Sequence, residues 1–387
     1  MSIYAFADME GGRAVRINAN ASFPSKQNGN VFLDSRQPVN LKFADELPLH
    51  IEDCFSLVAF RPSHVLISRD VLGGKPLYYE PSKLAFSSFS SLLDQPVELH
   101  PGESLKIDYE GNVLSRNVYQ FEDIFYNQVE DPVRAIEKAL NSFFHADSCV
   151  AFSGGVDSSL LAAIYDVPLV SVTANPEEKE WVEKAAGKLG KEVDVFVFGE
   201  EEVMEALSVV VPTIETTDPV QVSIAIPLYF TLKFARELGH NSVIFGQGAD
   251  ELFGGYSRYQ NMDIEKLESS LIQDIKNVGR HDLSRDVKLA YKLEMEAIYP
   301  YLQWEVIRAA IKIPPEQKIK STENGVIRKY ALRKLASRYL PQEVAFKDKK
   351  SVQYSTKTTA ILKKLAKREG LYLNRYLHRF ETNGSEG

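Results

Sequence analysis

Residues 149–165 read CVAFSGGVDSSLLAAIY. The pattern predicts an apolar strand over Cys149–Phe152, a turn rich in glycine and serine, and an apolar helix over Asp157–Tyr165. Gly154 and Gly155 would let backbone N–H groups approach an anion without a Cβ in the way, and the helix N-terminus adds the positive end of its dipole. The stretch therefore predicts a phosphate-binding loop between a strand and its helix.

The polar residues of this loop suit a phosphate group that carries a metal ion. Hydroxyls at Ser153, Ser158 and Ser159 would supply further donors. An acid in an anion-binding loop is useful only if it holds a cation, which is what a Mg²⁺-bound phosphate requires of Asp157. No Gly-Lys-Ser/Thr follows, so this is not a Walker A loop, and no Gly-x-Ser-x-Gly elbow surrounds Ser153. The alternative is an ordinary strand-to-helix turn with a serine cap.

Strands and helices alternate along the chain after this loop. The predicted strands are Leu169–Thr173, Val193–Val197 and Ser242–Phe245, and the predicted helices are one capped by Asn175 and ending at Gly190, and Pro219–Leu238. This alternation predicts a doubly wound parallel sheet of α/β class, whose ligands bind at the carboxyl ends of the strands. Beyond residue 262 the pattern is mostly helical.

A second glycine-rich motif, GQGADELFGGY at Gly246–Tyr256, follows the fourth strand directly. Parallel strands end at the same edge of a sheet, so this motif should lie beside the first loop. Asp157 and Asp250 would then face one Mg²⁺ from adjacent loops. Together the two motifs predict a site for pyrophosphate and Mg²⁺, and hence an enzyme that cleaves ATP.

Length and composition indicate a globular protein of two domains. The chain has 387 residues, a net charge of −8 and 44% hydrophobic residues, and it lacks the apolar run of roughly 18 residues that a membrane span needs. The acidic balance gives no electrostatic reason to expect nucleic acid or an anionic membrane as a partner. Cys54 and Cys149 lack CxxC spacing and are expected to be buried thiols, which favours a cytoplasmic location.

The two glycine-rich motifs resemble the synthetase domain of the asparagine synthetases and β-lactam synthetases, within the ATP pyrophosphatase superfamily. The resemblance continues in order through later segments and covers roughly residues 127–356. These segments are Ile214–Pro219 (IETTDP), Leu293–Glu296 (LEME), Pro314–Glu316 (PPE), Arg328–Arg333 (RKYALR), Leu340–Glu343 (LPQE) and Lys347–Lys350 (KDKK). Either loop alone would also fit other ATP pyrophosphatases, whereas the later segments favour the asparagine synthetase branch.

The resemblance implies an AMP-forming amide ligase with ATP and Mg²⁺ as cofactors. In this family a substrate carboxylate attacks the α-phosphate of ATP, pyrophosphate leaves with Mg²⁺, and an amine attacks the acyl-adenylate. The implied roles are a pyrophosphate cradle at Ser153, Gly154, Gly155, Ser158 and Ser159, Mg²⁺ ligands at Asp157 and Asp250, adenosine contacts at Val172 and Gly246, a charge-neutralising Lys349, and Glu294 at the acyl site.

The implied partners are a small carboxylate, such as an amino acid, and ammonia or an amine. A separate nitrogen-donor protein and a homo-oligomer stay open. For Lys349 the alternative is the solvated face of a basic run. Glu296 stands where the family's Glu-x-Arg has its arginine, and the family's Pro-Phe-Leu-Asp is replaced by YPYLQ at Tyr299–Gln303. An anion in place of a cation beside the acyl site changes which carboxylate is accepted and argues against aspartate.

Residues 1–126 are β-rich and form the predicted first domain, with residues 127–387 as the second. Residues 55–93 resemble the later part of the glutaminase domain of these enzymes, so a truncated N-terminal-nucleophile hydrolase fold is expected. Ser2 replaces the cysteine nucleophile, and the Arg-Gly-Pro-Asp and Asn-Gly-Glu segments that bind glutamine are missing. We therefore expect a degenerate domain with a packing or regulatory role.

Two other functions stay open beside the ammonia- or amine-dependent ligase. One is an ATP-dependent RNA-modifying enzyme, since other ATP pyrophosphatases adenylate tRNA bases. The acidic balance and the lack of a Cys/His cluster count against it. The other is an inactive pseudo-synthetase that binds ATP or a partner protein. The presence of Asp157, Asp250 and Lys349 counts against that function.

Overall fold

The computed structural model describes residues 2–10, 13–37, 40, 46–125, 129–142, 147–323, 325–347 and 355–381. The chain separates into two compact units. The first consists of Met1–Tyr126 and Lys276–Glu296, and the second of Asn127–Ile275 and Ala297–Asn383. The division after residue 126 thus coincides with the predicted domain boundary. The segment 276–296 is a correction, because the sequence placed it in the second domain.

Long-range contacts explain why the segment Lys276–Glu296 belongs to the first unit. The Tyr291 hydroxyl donates a hydrogen bond to Asp34, and the Tyr291 ring lies 6.2 Å from that of Phe89. Gly279 approaches the Leu72 carbonyl so closely that a Cβ on this glycine would lie 1.6 Å from the oxygen. These contacts join residues about 200 positions apart in the sequence, so local pattern could not predict them.

Antiparallel strands make up the first unit, which is β-rich as predicted. Within its described residues they form two sheets, ordered β2-β1-β8-β7-β9 and β11-β10-β6-β5-β4-β3. The strands are β1 (Ile3–Glu10), β2 (Arg13–Ala21), β3 (Lys26–Asn28), β4 (Val31–Asp34), β5 (Ser56–Phe60), β6 (Val65–Arg69), β7 (Tyr78–Glu80), β8 (Ala85–Ser87), β9 (Val97–Glu98), β10 (Glu103–Ile107) and β11 (Val113–Val118). A buried cluster that includes Ile3 and Phe86 from one sheet, and Val58 and Ile67 from the other, packs the sheets face to face. The likeness to an N-terminal-nucleophile hydrolase stays a prediction.

A parallel sheet organises the second unit. Its order is β14-β13-β12-β15-β16, and the pairs β12–β13, β13–β14 and β12–β15 are parallel. The strands are β12 (Ser148–Ala151), β13 (Leu169–Thr173), β14 (Asp194–Val197), β15 (Ser242–Ile244) and β16 (Glu296–Ile298), with a separate hairpin of β17 (Lys320–Thr322) and β18 (Gly325–Ile327). All five residues of β13 are buried, as in a parallel strand covered on both faces. The complete doubly wound arrangement stays a prediction.

Helices follow the strands of this sheet and continue to the end of the described chain. In chain order the helices are α1 (Leu47–His50), α2 (Pro132–Ser142), α3 (Val156–Ile164), α4 (Pro176–Lys188), α5 (Glu200–Ile214), α6 (Pro219–Glu237), α7 (Ala249–Phe253), α8 (Ile264–Val278), α9 (Ser284–Lys292), α10 (Trp304–Ile311), α11 (Pro315–Lys318), α12 (Tyr330–Ala336), α13 (Gln342–Ala345), α14 (Thr358–Arg368) and α15 (Leu373–Leu377). The start of α6 shows the predicted cap, since the Asp218 carboxylate accepts from the Gln221 N–H at 2.8 Å and Pro219 follows. Among the described residues, no helix is long and apolar enough to cross a membrane.

Strand order in the second unit reverses between β12 and β15. The chain moves outward in one direction from β12 through β13 to β14, and then returns to β15 on the other side of β12. Such a reversal leaves a crevice at the carboxyl ends of the two strands, where ligands of open α/β sheets bind. The loops that follow β12 and β15 carry the two glycine-rich motifs.

Candidate active site

The first loop, residues 152–155, connects β12 to α3. Gly154 adopts a left-handed conformation with φ of 65°, which favours glycine. The Ser158 hydroxyl accepts from the Ser153 N–H at 3.1 Å and lies 3.1 Å from the Ser153 hydroxyl. The first turn of α3 therefore fixes the start of the loop.

Space and unpaired polar groups remain around this loop. A Cβ built on Gly155 would meet only the Ser153 Oγ, at 3.4 Å, so the backbone here is open to an incoming group. Ser159 is fully buried, and its Oγ has no hydrogen-bond partner in the described part of the chain. Val172 lies on the neighbouring β13, and Gly246 follows β15 so closely that its Cβ would lie 3.1 Å from the Asp157 Cβ. The predicted phosphate and adenosine residues thus come from three adjacent strands.

Asp157 and Asp250 meet on one buried cation, the ammonium of Lys329. The Lys329 Nζ lies 2.6 Å from Asp157 Oδ2 and 2.8 Å from Asp250 Oδ1. Lys329 is 1% exposed and precedes α12 with a left-handed φ of 56°. Gly255 closes the site, because a Cβ there would lie 1.7 Å from Asp250 Oδ1 and 2.2 Å from Lys329 Cε. The two predicted metal ligands therefore face a common point.

Charge at this point is unevenly balanced. Burial lowers the pKa of the Lys329 ammonium, and Asp157 offsets that effect only in part. The second oxygen of Asp157, Oδ1, is buried without a hydrogen bond to any described residue. The Tyr301 hydroxyl donates to the Asp157 backbone carbonyl at 3.0 Å, and burial raises the pKa of Tyr301 well above its usual value. One ammonium between two carboxylates leaves room for further positive charge.

A Mg²⁺ ion that arrives with phosphate oxygens fits this donor set. Mg²⁺ in nucleotide sites is usually held by one or two carboxylates, with substrate phosphates and waters completing the shell. The unpaired Asp157 Oδ1 supplies one such ligand. Throughout the described ranges, no group of three or more His, Cys, Asp or Glu side chains is placed to hold a metal alone. The carboxylates therefore suit a metal bound together with a nucleotide.

Two predicted site residues are not part of this geometry. Lys349 falls within residues 348–354, outside the described residues. Glu294 belongs to the first unit, in the turn after α9 with a left-handed φ of 51°. Their roles stay predictions. Lys329 is the residue that the sequence analysis missed, although it lies in the motif RKYALR that carried the resemblance.

The family model for asparagine synthase matches this chain over residues 134–269 and 261–375, more than half of its length. The chain belongs to the asparagine synthase family. The match covers the phosphate loop, the Gly246–Tyr256 motif and Lys329. ATP-dependent formation of a carbon–nitrogen bond is the activity that membership of this family indicates.

Individual relatives carry the same family name. A Methanocaldococcus jannaschii protein, provisionally named asparagine synthetase (glutamine-hydrolyzing) 1, is 33% identical over 255 residues, which are 56% of this chain and 47% of that protein. Asparagine synthetase B (glutamine-hydrolyzing) of Escherichia coli is 26% identical over 332 residues, 76% of this chain and 59% of that protein. The chain thus spans about half the length of the curated relatives it matches. An NMN synthetase structure from Francisella tularensis aligns with 67% of this chain and 99% of its own at 10% identity, but its TM-score of 0.25 supports no inference.

Proposed function

We propose that the chain is an AMP-forming ligase that activates a small carboxylate with ATP and then amidates it with ammonia or an amine. The observation that supports this most strongly is the meeting of Asp157 and Asp250 on Lys329 beside an open glycine-rich loop. Phosphate-binding backbone, paired carboxylates and a buried ammonium are what the departure of pyrophosphate requires.

The reaction has two steps. A carboxylate oxygen attacks the α-phosphorus of ATP, the bond between the α-phosphorus and the bridging oxygen breaks, and pyrophosphate leaves with the electron pair. The amine nitrogen then attacks the acyl carbon, AMP leaves, and the nitrogen loses a proton. When bound, Mg²⁺ would neutralise charge on the pyrophosphate. Before that, Lys329 holds the two carboxylates at one point.

The proposal includes a nitrogen donor other than glutamine hydrolysed by this chain. Ser2 stands at the position of the family's cysteine nucleophile. It is fully buried, and its hydroxyl is hydrogen-bonded to that of Ser25. A nucleophile must be accessible to its substrate, and the geometry around Ser2 argues against that role.

ATP–pyrophosphate exchange tests the proposal without knowledge of the amine. The chain is incubated with MgATP and labelled pyrophosphate, with a panel of amino acids and other small carboxylates added one at a time. Exchange that depends on one carboxylate is expected. Exchange that depends on tRNA would favour an RNA-modifying enzyme, and no exchange with any addition would favour an inactive relative. Either outcome would overturn the proposal.

A further inference from the structure

One face of α4 contacts the phosphate loop through a tryptophan. The Trp181 indole Nε1 donates a hydrogen bond to the Gly154 carbonyl at 3.2 Å. A Cβ on Gly154 would lie 2.4 Å from the same Nε1, so the indole occupies the space next to this glycine. The loop backbone and the indole are therefore fitted to each other.

This hydrogen bond acts on the peptide that would donate to phosphate. The Gly154 carbonyl and the Gly155 N–H belong to one planar trans peptide and point in opposite directions. A donor fixed on the carbonyl consequently fixes the direction of the N–H. It also polarises the peptide and strengthens the N–H as a donor. The Gly155 N–H has only a long hydrogen bond of 3.4 Å, to the Ser153 Oγ, and can turn toward an anion at little cost.

The opposite side of the indole carries the segment Glu343–Lys347. The Lys347 ammonium lies 3.4 Å from the centroid of the Trp181 ring, well within the range of a cation–π interaction. Glu343 forms ion pairs with Lys188 and, at 3.8 Å, with Lys184. Positions 181, 184 and 188 lie on one face of α4 because residues three and four apart are neighbours on a helix. Lys347 precedes Lys349, the predicted catalytic lysine, by two residues in the sequence.

We infer that Trp181 is a positioning residue that couples the phosphate loop to the segment ending at Lys347. It sets the direction of the Gly155 N–H on one side and holds the Lys347 side chain on the other. The inference rests on the proposed function, because it assumes that a phosphate group binds this loop. Binding of pyrophosphate should therefore depend on the indole N–H and should be visible in the emission of Trp181.

Trp181→Phe tests the hydrogen bond, since it keeps an aromatic ring for Lys347 and removes only the indole donor. Loss of one hydrogen bond should weaken binding of Mg²⁺–pyrophosphate about fivefold, measured by isothermal titration calorimetry. Trp304→Phe is the matched control. Trp304 is also in the second unit and fully buried, and its Nε1 makes no hydrogen bond with a described residue. Trp304→Phe should bind pyrophosphate like the unaltered chain.

Fluorescence supplies a readout that a merely structural role would not change. Trp181 and Trp304 are the two tryptophans of the chain, so Trp304→Phe leaves Trp181 as the single reporter. Adding Mg²⁺–pyrophosphate should alter its emission, and adding Lys347→Met to that variant should change the emission before any ligand is added. Equal affinities of Trp181→Phe and Trp304→Phe, or an emission blind to pyrophosphate, would overturn the inference alone. No binding by the unaltered chain would overturn the proposed function as well.

Discussion

Lys329 carries the largest electrostatic burden of any single residue in the site. An isolated ammonium is costly to bury, and the cost is met only by close partners of opposite charge. Its partners, Asp157 and Asp250, come from positions 172 and 79 residues earlier in the chain. Removing the ammonium would leave two carboxylates facing each other in a buried site. That arrangement is stable only with another cation between them.

Lys329→Met should therefore make the stability of the protein depend on Mg²⁺. Without the metal we expect the free energy of unfolding to fall by about 3–5 kcal/mol, the cost of breaking a buried ion pair. Added Mg²⁺ should restore part of this loss, which thermal or urea unfolding with and without MgCl₂ would measure.

Lys318→Met is the matched control for that experiment. Lys318 is 4% exposed, and burial lowers its pKa to about 8, but it forms no ion pair within 4.0 Å of a described carboxylate. Its substitution should leave the response to Mg²⁺ unchanged. An equal response in both variants would mean that Lys329 is not the counter-ion of a metal site.

Single-residue predictions from the sequence succeeded where the chemistry was local. Asp157 and Asp250 follow adjacent strands, so parallel-sheet geometry alone predicted that they converge. Lys329 could not be predicted in the same way, because its motif carries two basic residues and its contact depends on the path of the chain between residues 250 and 329. Trp181 was missed because an aromatic residue in an amphipathic helix is most often a packing residue.

At the scale of elements, the short helix α7 and the turn after it hold Asp250 in place. The Gly255 N–H donates to the Asp250 carbonyl at 2.8 Å, and Arg328 donates to the Gly255 carbonyl at 2.8 Å. The Gly255 backbone is thus held from both sides. It cannot move away to accommodate a side chain.

Gly255→Ala should disrupt the site and destabilise the fold. Its methyl group would overlap Asp250 Oδ1, so we expect a loss of about 1–3 kcal/mol in unfolding free energy, typical of overpacking, and at least a tenfold loss of Mg²⁺–pyrophosphate affinity. Gly187→Ala is the control, since a Cβ there would meet nothing within 4 Å and lies in α4. It should be neutral or stabilise by up to about 1 kcal/mol. Unchanged affinity in Gly255→Ala would contradict the assignment of Asp250.

Elements with strong local signals were predicted within one or two residues. The strand and helix around the phosphate loop, predicted at Cys149–Phe152 and Asp157–Tyr165, are observed at Ser148–Ala151 and Val156–Ile164. Helix α5, Glu200–Ile214, was not predicted. Its sequence opens with three consecutive glutamates and contains Pro212 near its end, and these features obscure the apolar period that its buried face follows.

At the scale of the whole molecule, the first unit keeps a folded core while its predicted chemistry is absent. Glutamine should not donate nitrogen in this protein, because Ser2 is buried at the position of the nucleophile. Incubation with glutamine should release no glutamate above the background of a heat-inactivated sample. Glutamate release that disappears in Ser2→Ala would show that the unit is an active glutaminase.

The grouping of the chain into two units shows where sequence patterns reach their limit. The boundary after residue 126 follows a change from strand to helix signals, which is local. The return of Lys276–Glu296 to the first unit depends on contacts such as Tyr291 with Asp34. Neither residue carries a local signal for that contact. Long-range packing therefore had to be observed.

The central claim is that ATP is cleaved between its α and β phosphates at the site of Asp157 and Asp250. The direct measurement is the identity of the nucleotide products, followed with ATP labelled at the α-phosphate, in the presence of ammonia and the carboxylate that supports exchange. The unaltered chain should form AMP and pyrophosphate in equal amounts. Asp157→Asn and Asp250→Asn should stay folded and lower the rate about a hundredfold or more, because charge stabilisation through the metal is worth several kcal/mol. Formation of ADP and phosphate, or full activity in either variant, would contradict the account.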